Sequence, residues 1–185
     1  MPPRTRALRA AQAMLETLGE NRLPVRIYDI AKRYAHIQRD RLPSDVSGMI
    51  IPAPEGASKR WIIVVNKDHS HERQRFSIAH ELGHLVLHEY RTPHADGVRQ
   101  VRYRDTESAR GTDRDEIEAN QFAAEMLLPA KLIVPKLQEL GLDTWDGEAN
   151  KRITAAVEDL AAACQVSQQA LLLRIGNLLH RDERY

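Results

Sequence analysis

The sequence has little of several features that would assign a chain to a specialised class of protein. Cys164 is the single cysteine among 185 residues, which excludes an intramolecular disulfide and fits a reducing compartment. The longest apolar run, Trp61 to Val65, is about five residues, far below the roughly 20 that cross a bilayer. The basic N-terminus has no apolar segment behind it and so lacks the pattern of a secretory signal. These absences predict a soluble, cytoplasmic protein without a membrane partner.

The sequence also lacks an excess of charge of either sign. Lys plus Arg number 27 and Asp plus Glu number 26, which leaves a formal net charge of +1 and no strong field for nucleic acid. With 42% hydrophobic and 29% charged residues, the composition is typical of a globular chain and excludes a wholly disordered one. The length fits one domain, or one domain with a small appendage.

Hydrophobic periodicity and turn residues predict an α+β fold. Two segments rich in Val and Ile, 46–51 and 60–66, flank the turn-forming stretch PAPEGAS and predict a β-hairpin. Segment 91–113 is polar and shows no sustained period, so we expect a long loop there, of a kind that is often functional. We expect helices at 7–19, 27–35, 71–89, 113–128, 130–140, 149–164 and 167–180.

The most informative segment is FSIAHELGHLVLH, residues 76–88. His80 and His84 lie one turn apart on one helix face, so both imidazoles can reach one tetrahedral cation at about 2.0–2.1 Å. Glu81 lies about 100° further round the helix. It is therefore placed to accept a proton from a water that the metal has made acidic, rather than to act as a ligand. The pattern predicts a catalytic metal site with Glu81 as the general base.

His88 continues the same row of histidines but cannot complete the site. Along the helix axis His80 and His88 are about 12 Å apart, too far for all three imidazoles to converge on one ion. The metzincin pattern, with its third His six residues after the second, is not met. We expect His88 to support a ligand or to cap the helix.

A catalytic zinc site needs a third protein ligand from elsewhere in the chain. The segment DRDEIEANQFAAEMLLP, residues 113–129, offers Glu116 and Glu118 on different faces of a predicted helix. Glu116 shares its face with small residues and with Asn120, whose amide could hydrogen-bond the outer nitrogen of a ligating His. We expect Glu116 as the ligand, with Glu118 as the alternative, although an acidic first helical turn would account for both carboxylates without any metal.

Two histidines and one glutamate suit Zn²⁺, and such a site also accepts Mn²⁺ or another divalent metal. Attack of the activated water on a carbonyl group would create a negatively charged oxygen, which needs a hydrogen-bond donor. No motif in the sequence identifies this donor. His88, His94 and Tyr103 are candidates, and the last two lie in the predicted loop, which could also gate the substrate.

These segments resemble the ImmA/IrrE family of metallo-endopeptidases. The resemblance covers most of the chain, through LPVRIYDIAKRYAHI, SGMI, WIIVVNKDHSHERQRFSIAHELGHLVLH and EIEANQFAAEMLLP. It implies a compact zincin-like core, a small antiparallel sheet packed on the active helix, with His80, His84 and Glu116 as metal ligands and Glu81 as the base. Leu128 stands where the family often has Met.

The same resemblance implies a substrate. Family members typically cut repressors of the helix-turn-helix (XRE) type, often encoded beside them, and so relieve repression of phage, mobile-element or stress-response genes. A protein substrate of this kind is therefore expected here, with a role in the regulation of transcription.

The C-terminal segment has a helix-turn-helix pattern of its own. We divide the chain into a metallopeptidase core, 1–129, and a helical subdomain, 130–185, packed on that core. Residues 148–185 hold five Lys/Arg and five Asp/Glu, and a neutral module makes few phosphate contacts, so direct DNA binding is disfavoured. A structural or partner-docking role is expected, with Cys164 as a buried apolar residue.

Two other functions stay open at this point. The chain could be a non-catalytic antirepressor or antitoxin-like module, in which the metal only stabilises the fold. The presence of Glu81 opposes that hypothesis, because a structural site does not need the carboxylate. Direct transcriptional control through the C-terminal segment is a third hypothesis, and it would require salt-dependent DNA binding.

Overall fold

The computed structural model describes residues 3–88, 94–96, 106–142 and 151–179, and side chains over 6–88, 114–142 and 153–179. Within these ranges the chain forms seven helices and four strands, and the α+β prediction is confirmed. In chain order they are α1 (Pro3–Thr17), α2 (Ile27–Ala31), β1 (His36–Asp40), β2 (Gly48–Pro52), β3 (Trp61–Asn66), α3 (His71–Leu87), β4 (His94–Asp96), α4 (Thr106–Leu127), α5 (Ala130–Leu140), α6 (Lys151–Cys164) and α7 (Gln168–Leu179). None of the helices in the described ranges has the length and hydropathy to cross a membrane.

The four strands form one sheet in the order β1-β3-β2-β4. The predicted hairpin is present, since β2 and β3 pair antiparallel with Gly48 opposite Val65 and Pro52 opposite Trp61. Strand β4 extends the sheet antiparallel to β2, and β1 pairs parallel with β3. The expected purely antiparallel sheet is therefore wrong at β1, whose polar and mostly exposed HIQRD sequence carries no alternation that would have predicted a strand.

The predicted long loop at 91–113 is wrong at two places. Residues His94–Asp96 form β4, and α4 begins at Thr106 rather than at residue 113 or 115. Strand β4 is three residues long and exists through its pairing with β2, which no local pattern encodes. The first turns of α4, TESARGTD, contain no apolar side chain except Ala109, so the period that reveals an amphipathic helix is missing.

One apolar core runs through the described parts of the chain. It joins Ala7 of α1, Ile63 of β3, Leu82 of α3, Phe122 of α4 and Ile175 of α7. The core therefore crosses the expected boundary at 129/130, and the division into two subdomains stays a prediction.

Two buried arginines connect the C-terminal helices to the rest of the protein. Arg75 of α3 donates to the carbonyl oxygens of Gln165 at 3.1 Å and Val25 at 2.9 Å. Arg174 of α7 donates to the carbonyl oxygen of Leu128 at 3.0 Å and pairs with the Glu125 carboxylate of α4. The helix pair α6–α7 thus lies against both of the helices that carry the candidate site.

Candidate metal centre

Helix α3 begins where its sequence provides a cap. The Ser70 hydroxyl accepts a hydrogen bond from the Arg73 amide at 3.3 Å, which satisfies one of the free donors of the first turn. The backbone amide of Glu72, together with the Ser70 hydroxyl, lowers the pKa of the Glu72 carboxyl in that turn. The helix then runs to Leu87 and carries the histidine pair in its second half.

The polar groups of α3 that matter for function are buried. His80 is 1% exposed, and Glu81 and His84 are 0% exposed. Burial of three such groups on one helix is costly unless polar or charged partners compensate for the lost water. The neighbouring helix α4 supplies such partners to His80 and His84.

Helix α4 approaches α3 very closely at a glycine between the two histidines. A Cβ atom at Gly83 would lie 3.1 Å from Cδ1 of Phe122 and 3.3 Å from the Cα atom of Ala119. Such distances leave no room for a larger residue at position 83 while the helices stay in place. The small residues of both helices therefore allow α4 to bring its carboxylates to the histidine pair.

Donor atoms of three residues converge between the two helices. The Nε2 atoms of His80 and His84 are 2.9 Å apart. The Glu116 carboxylate reaches both rings, with Oε2 at 3.3 Å from His80 Nε2 and Oε1 at 3.3 Å from His84 Nε2. These three residues form a group that could hold a metal ion. They are also the residues that we expected as ligands from the sequence.

The spacing of the donors fits a tetrahedral cation. Donors at about 2.0–2.1 Å from a tetrahedral zinc ion lie about 3.3–3.4 Å from each other, because a tetrahedron's edge is about 1.63 times its centre-to-corner distance. The separation of the two Nε2 atoms, 2.9 Å, and the 3.3 Å from each Nε2 atom to one oxygen of Glu116, a different oxygen for each ring, are close to that edge. Two imidazoles and one carboxylate are also the donor set that suits Zn²⁺.

Asn120 determines which nitrogen of His80 faces the centre as an acceptor. Its side-chain oxygen Oδ1 lies 3.0 Å from His80 Nδ1, one turn after Glu116 on α4. An amide oxygen only accepts, so Nδ1 donates and Nε2 is left with its lone pair towards His84 and Glu116. The structure thus places Asn120 where the sequence analysis expected it.

Glu81 lies on the sheet side of the same helix. A Cβ atom at Gly48 of β2 would lie 3.3 Å from Glu81 Oε1 and 3.3 Å from the Cβ atom of Ser77. The missing side chain at Gly48 therefore makes space for the carboxylate beneath the sheet. No feature of the sequence singled out Gly48, because its contact with Glu81 depends on how β2 crosses α3.

The alternative ligand Glu118 lies apart from this trio. Its carboxylate is buried and contacts Arg6 of α1 at 3.3 Å, and His88 Nε2 lies 3.9 Å from its Oε2 atom. His88 does not join the trio either, since its Nδ1 atom lies 3.3 Å from Asp115 Oδ1. Sequence reasoning missed Arg6 and Asp115, because nothing local marks them as neighbours of His88 and Glu118.

The remaining predicted residues lie outside what the structure describes. Tyr103 is in a segment that is not described, and the side chain of His94 is not described although its backbone belongs to β4. Both stay predictions as oxyanion donors.

The structure buries one of the candidate base-reading side chains of the C-terminal helix pair and leaves three exposed. Four side chains of α7 could contact DNA bases, those of Gln168, Gln169, Arg174 and Asn177. Of these, Arg174 is 6% exposed. Its guanidinium is paired with Glu125, so it faces the protein rather than solvent. The expectation that the helix pair serves structure or partner docking stays a prediction.

Comparison with known proteins assigns most of the chain to a family. No curated protein matches the sequence. The sequence profile of the IrrE N-terminal-like domain, peptidase family M78, matches residues 22–176. The matched part includes α3, α4 and all of the helix pair α6–α7 except its last three residues. The chain therefore belongs to the IrrE N-terminal-like family, which is a family of metallopeptidases.

Proposed function

We propose that the protein is a zinc-dependent endopeptidase that cleaves a helix-turn-helix repressor of the XRE type in the cytoplasm. One observation carries the catalytic part of the proposal. Donor atoms of His80 and His84 on α3 and of Glu116 on α4 lie within 2.9–3.3 Å of one another, and α3 also carries the fully buried Glu81. The repressor as substrate, and with it the control of phage, mobile-element or stress-response genes, is supported by the resemblance to ImmA/IrrE proteins.

Each residue has a defined role in the proposed reaction. His80, His84 and Glu116 would hold the ion, and Zn²⁺ fits these donors although Mn²⁺ or another divalent metal is possible. When bound, the cation would lower the pKa of a water molecule and polarise the scissile carbonyl. Glu81 takes the proton from the attacking water and passes it to the leaving amine. Asn120 holds the His80 ring in the tautomer that leaves Nε2 free of a proton.

The experiment combines metal removal with one isosteric substitution. The zinc-loaded protein is incubated with the helix-turn-helix repressor encoded beside its gene, and the products are measured by mass spectrometry. We expect one discrete cut that is lost after chelation and restored by Zn²⁺. Glu81→Gln should abolish the cut while it leaves the zinc content and repressor binding unchanged, because the amide keeps the shape of the side chain but cannot accept the proton.

Two further variants define the outcomes. His84→Ala should lose both zinc and cleavage, whereas Glu72→Gln, in the first turn of the same helix, should keep both. Relief of repression in cells that survives Glu81→Gln would contradict the protease and favour the antirepressor or antitoxin-like module. Purified protein that takes up no stoichiometric metal would contradict the metal centre itself.

A further inference from the structure

Glu118 is a buried carboxylate with neighbours from α1 and from the residue that follows α3. It lies two residues after Glu116 on α4, and its side chain is 2% exposed. Its Oε2 atom is 3.3 Å from Arg6 Nη1 of α1 and 3.9 Å from the ring of His88, which follows the last residue of α3. A buried carboxylate is stable only with such a charged or hydrogen-bonding partner, and Arg6 supplies it.

Arg6 connects α4 to the end of α3. Besides its bond to Glu118, its guanidinium donates to the carbonyl oxygen of Leu87. Leu87 is the final residue of α3, so its carbonyl has no partner within the helix. One planar group therefore binds the end of the histidine helix and the side of the glutamate helix at the same time.

A second cation site at this place is the competing interpretation. His88, Asp115 and Glu118 offer three donors close enough to hold an ion, with His88 Nδ1 at 3.3 Å from Asp115 Oδ1. However, Arg6 lies 3.3 Å and Arg114 lies 3.9 Å from the carboxylate oxygens of Glu118. Two guanidinium groups already balance the two carboxylates, and a divalent cation would meet like charge there.

We propose that Glu118 is a positioning residue for the metal centre, an inference that rests on the proposed function. Glu116 and Glu118 share one stretch of helix and point to different sides of it. The Arg6–Glu118 pair holds α4 against the end of α3, and this fixes how far α4 rotates and slides relative to the histidines. Glu116 is thereby kept within 3.3 Å of both imidazoles.

A matched control is present on the same helix. Glu125 is also buried on α4, and it also pairs with an arginine, but that partner is Arg174 of α7. Glu118→Gln should weaken zinc affinity about tenfold, an effect typical of residues that orient metal ligands, and should change the visible absorption of the Co²⁺-loaded protein. Glu125→Gln should lower the free energy of unfolding while it leaves zinc affinity and the Co²⁺ spectrum unchanged.

A second measurement does not depend on the metal. In metal-free protein, Glu118→Gln should accelerate amide hydrogen exchange over residues 114–120. Arg6→Gln should reproduce this faster exchange and, in the metal-loaded protein, the weaker zinc affinity. Half of the Arg6 side chain is exposed, so we expect this variant to fold. Glu118→Gln with wild-type zinc affinity, spectrum and exchange would overturn the proposal. So would uptake of a second zinc equivalent that Asp115→Asn removes. If the wild type bound no metal, the proposed function would fail, and the exchange comparison would still decide whether Glu118 holds α4.

Discussion

Gly83 of α3 and Phe122 of α4 are in direct contact: a Cβ atom on the glycine would lie 3.1 Å from Cδ1 and 3.2 Å from Cβ of the phenylalanine. Phe122 is completely buried, so its ring must shift within the core to accept a side chain at position 83. The contact lies one residue before His84. The separation of α3 and α4 at this contact therefore affects the distance from the histidine nitrogens to the Glu116 carboxylate.

Gly83→Ala is expected to destabilise the protein despite the better helix propensity of alanine. Overpacking of a well-filled contact costs about 1–3 kcal/mol, which exceeds the gain in helix propensity of about 0.8–1 kcal/mol. Gly176→Ala on α7 is the control, because a Cβ atom there would meet nothing within 4 Å. Urea denaturation should show a lower free energy of unfolding for Gly83→Ala and a higher one for Gly176→Ala. Equal stabilisation by both would show that α3 and α4 separate without cost.

Asn120→Ala is expected to weaken metal binding without changing any ligand. The His80 ring would lose the acceptor for its Nδ1 proton, and loss of such a partner typically costs about 10–100-fold in metal affinity. Asn120→Asp keeps an acceptor at that position and should retain the affinity. Gln121→Ala, a change of the next amide along the helix, should have no effect. Titration with Zn²⁺ measures all three, and unchanged affinity in Asn120→Ala would contradict the orienting role.

The Cys164 thiol is expected to make the protein less stable as the pH rises into the alkaline range. Burial raises the pKa of this thiol to about 11, although nearby Arg75 acts in the opposite direction. The unfolded thiol titrates near pH 8.5. Between these two values the unfolded chain holds fewer protons than the folded one, so the free energy of unfolding falls as pH rises.

The size of that fall is testable by comparison with Cys164→Ala. Between pH 8 and pH 10.5, the free energy of unfolding should fall by about 2 kcal/mol more in the wild type than in the variant. Because only the pH dependence is compared, any cavity left by the substitution cancels. Identical pH profiles would mean that the thiolate is solvated in the folded protein.

Arg75→Met is expected to loosen the C-terminal helices. Burial lowers the pKa of the Arg75 guanidinium, so the charged group is held at a cost, and its bonds to Val25 and Gln165 offset this cost. Without it the Gln165 carbonyl loses its side-chain donor, whereas the Val25 carbonyl keeps the Ile27 amide at 2.9 Å. Loss of a hydrogen bond to a charged group costs about 1.5–3 kcal/mol. The exposed Arg33→Met is the control. The rates of proteolysis and of hydrogen exchange over residues 153–179 should increase only in Arg75→Met. Unchanged rates in this variant would favour a C-terminal part that folds independently.

Local geometry explains which parts of the site could be predicted. His80 and His84 are four residues apart, and any helix puts such residues on one face, so the pair follows from spacing alone. The face of Glu116 was also predictable, because it shares a turn with Asn120 and small residues. By contrast, Arg6 is 112 residues from Glu118 in sequence, and no local pattern relates them.

The sequence by itself determined the capped helix with its two imidazoles, the carboxylate beside them and the hairpin, since each depends on residues that are near neighbours in the chain. The tertiary structure decided the rest. It brought Glu116 rather than Glu118 to the histidines, placed Gly48 against Glu81, added β1 and β4 to the sheet, and gathered Arg6, Glu118 and His88 into one cluster. These contacts depend on how α1, α3, α4 and the sheet pack, and packing is set by side chains that are distant in sequence.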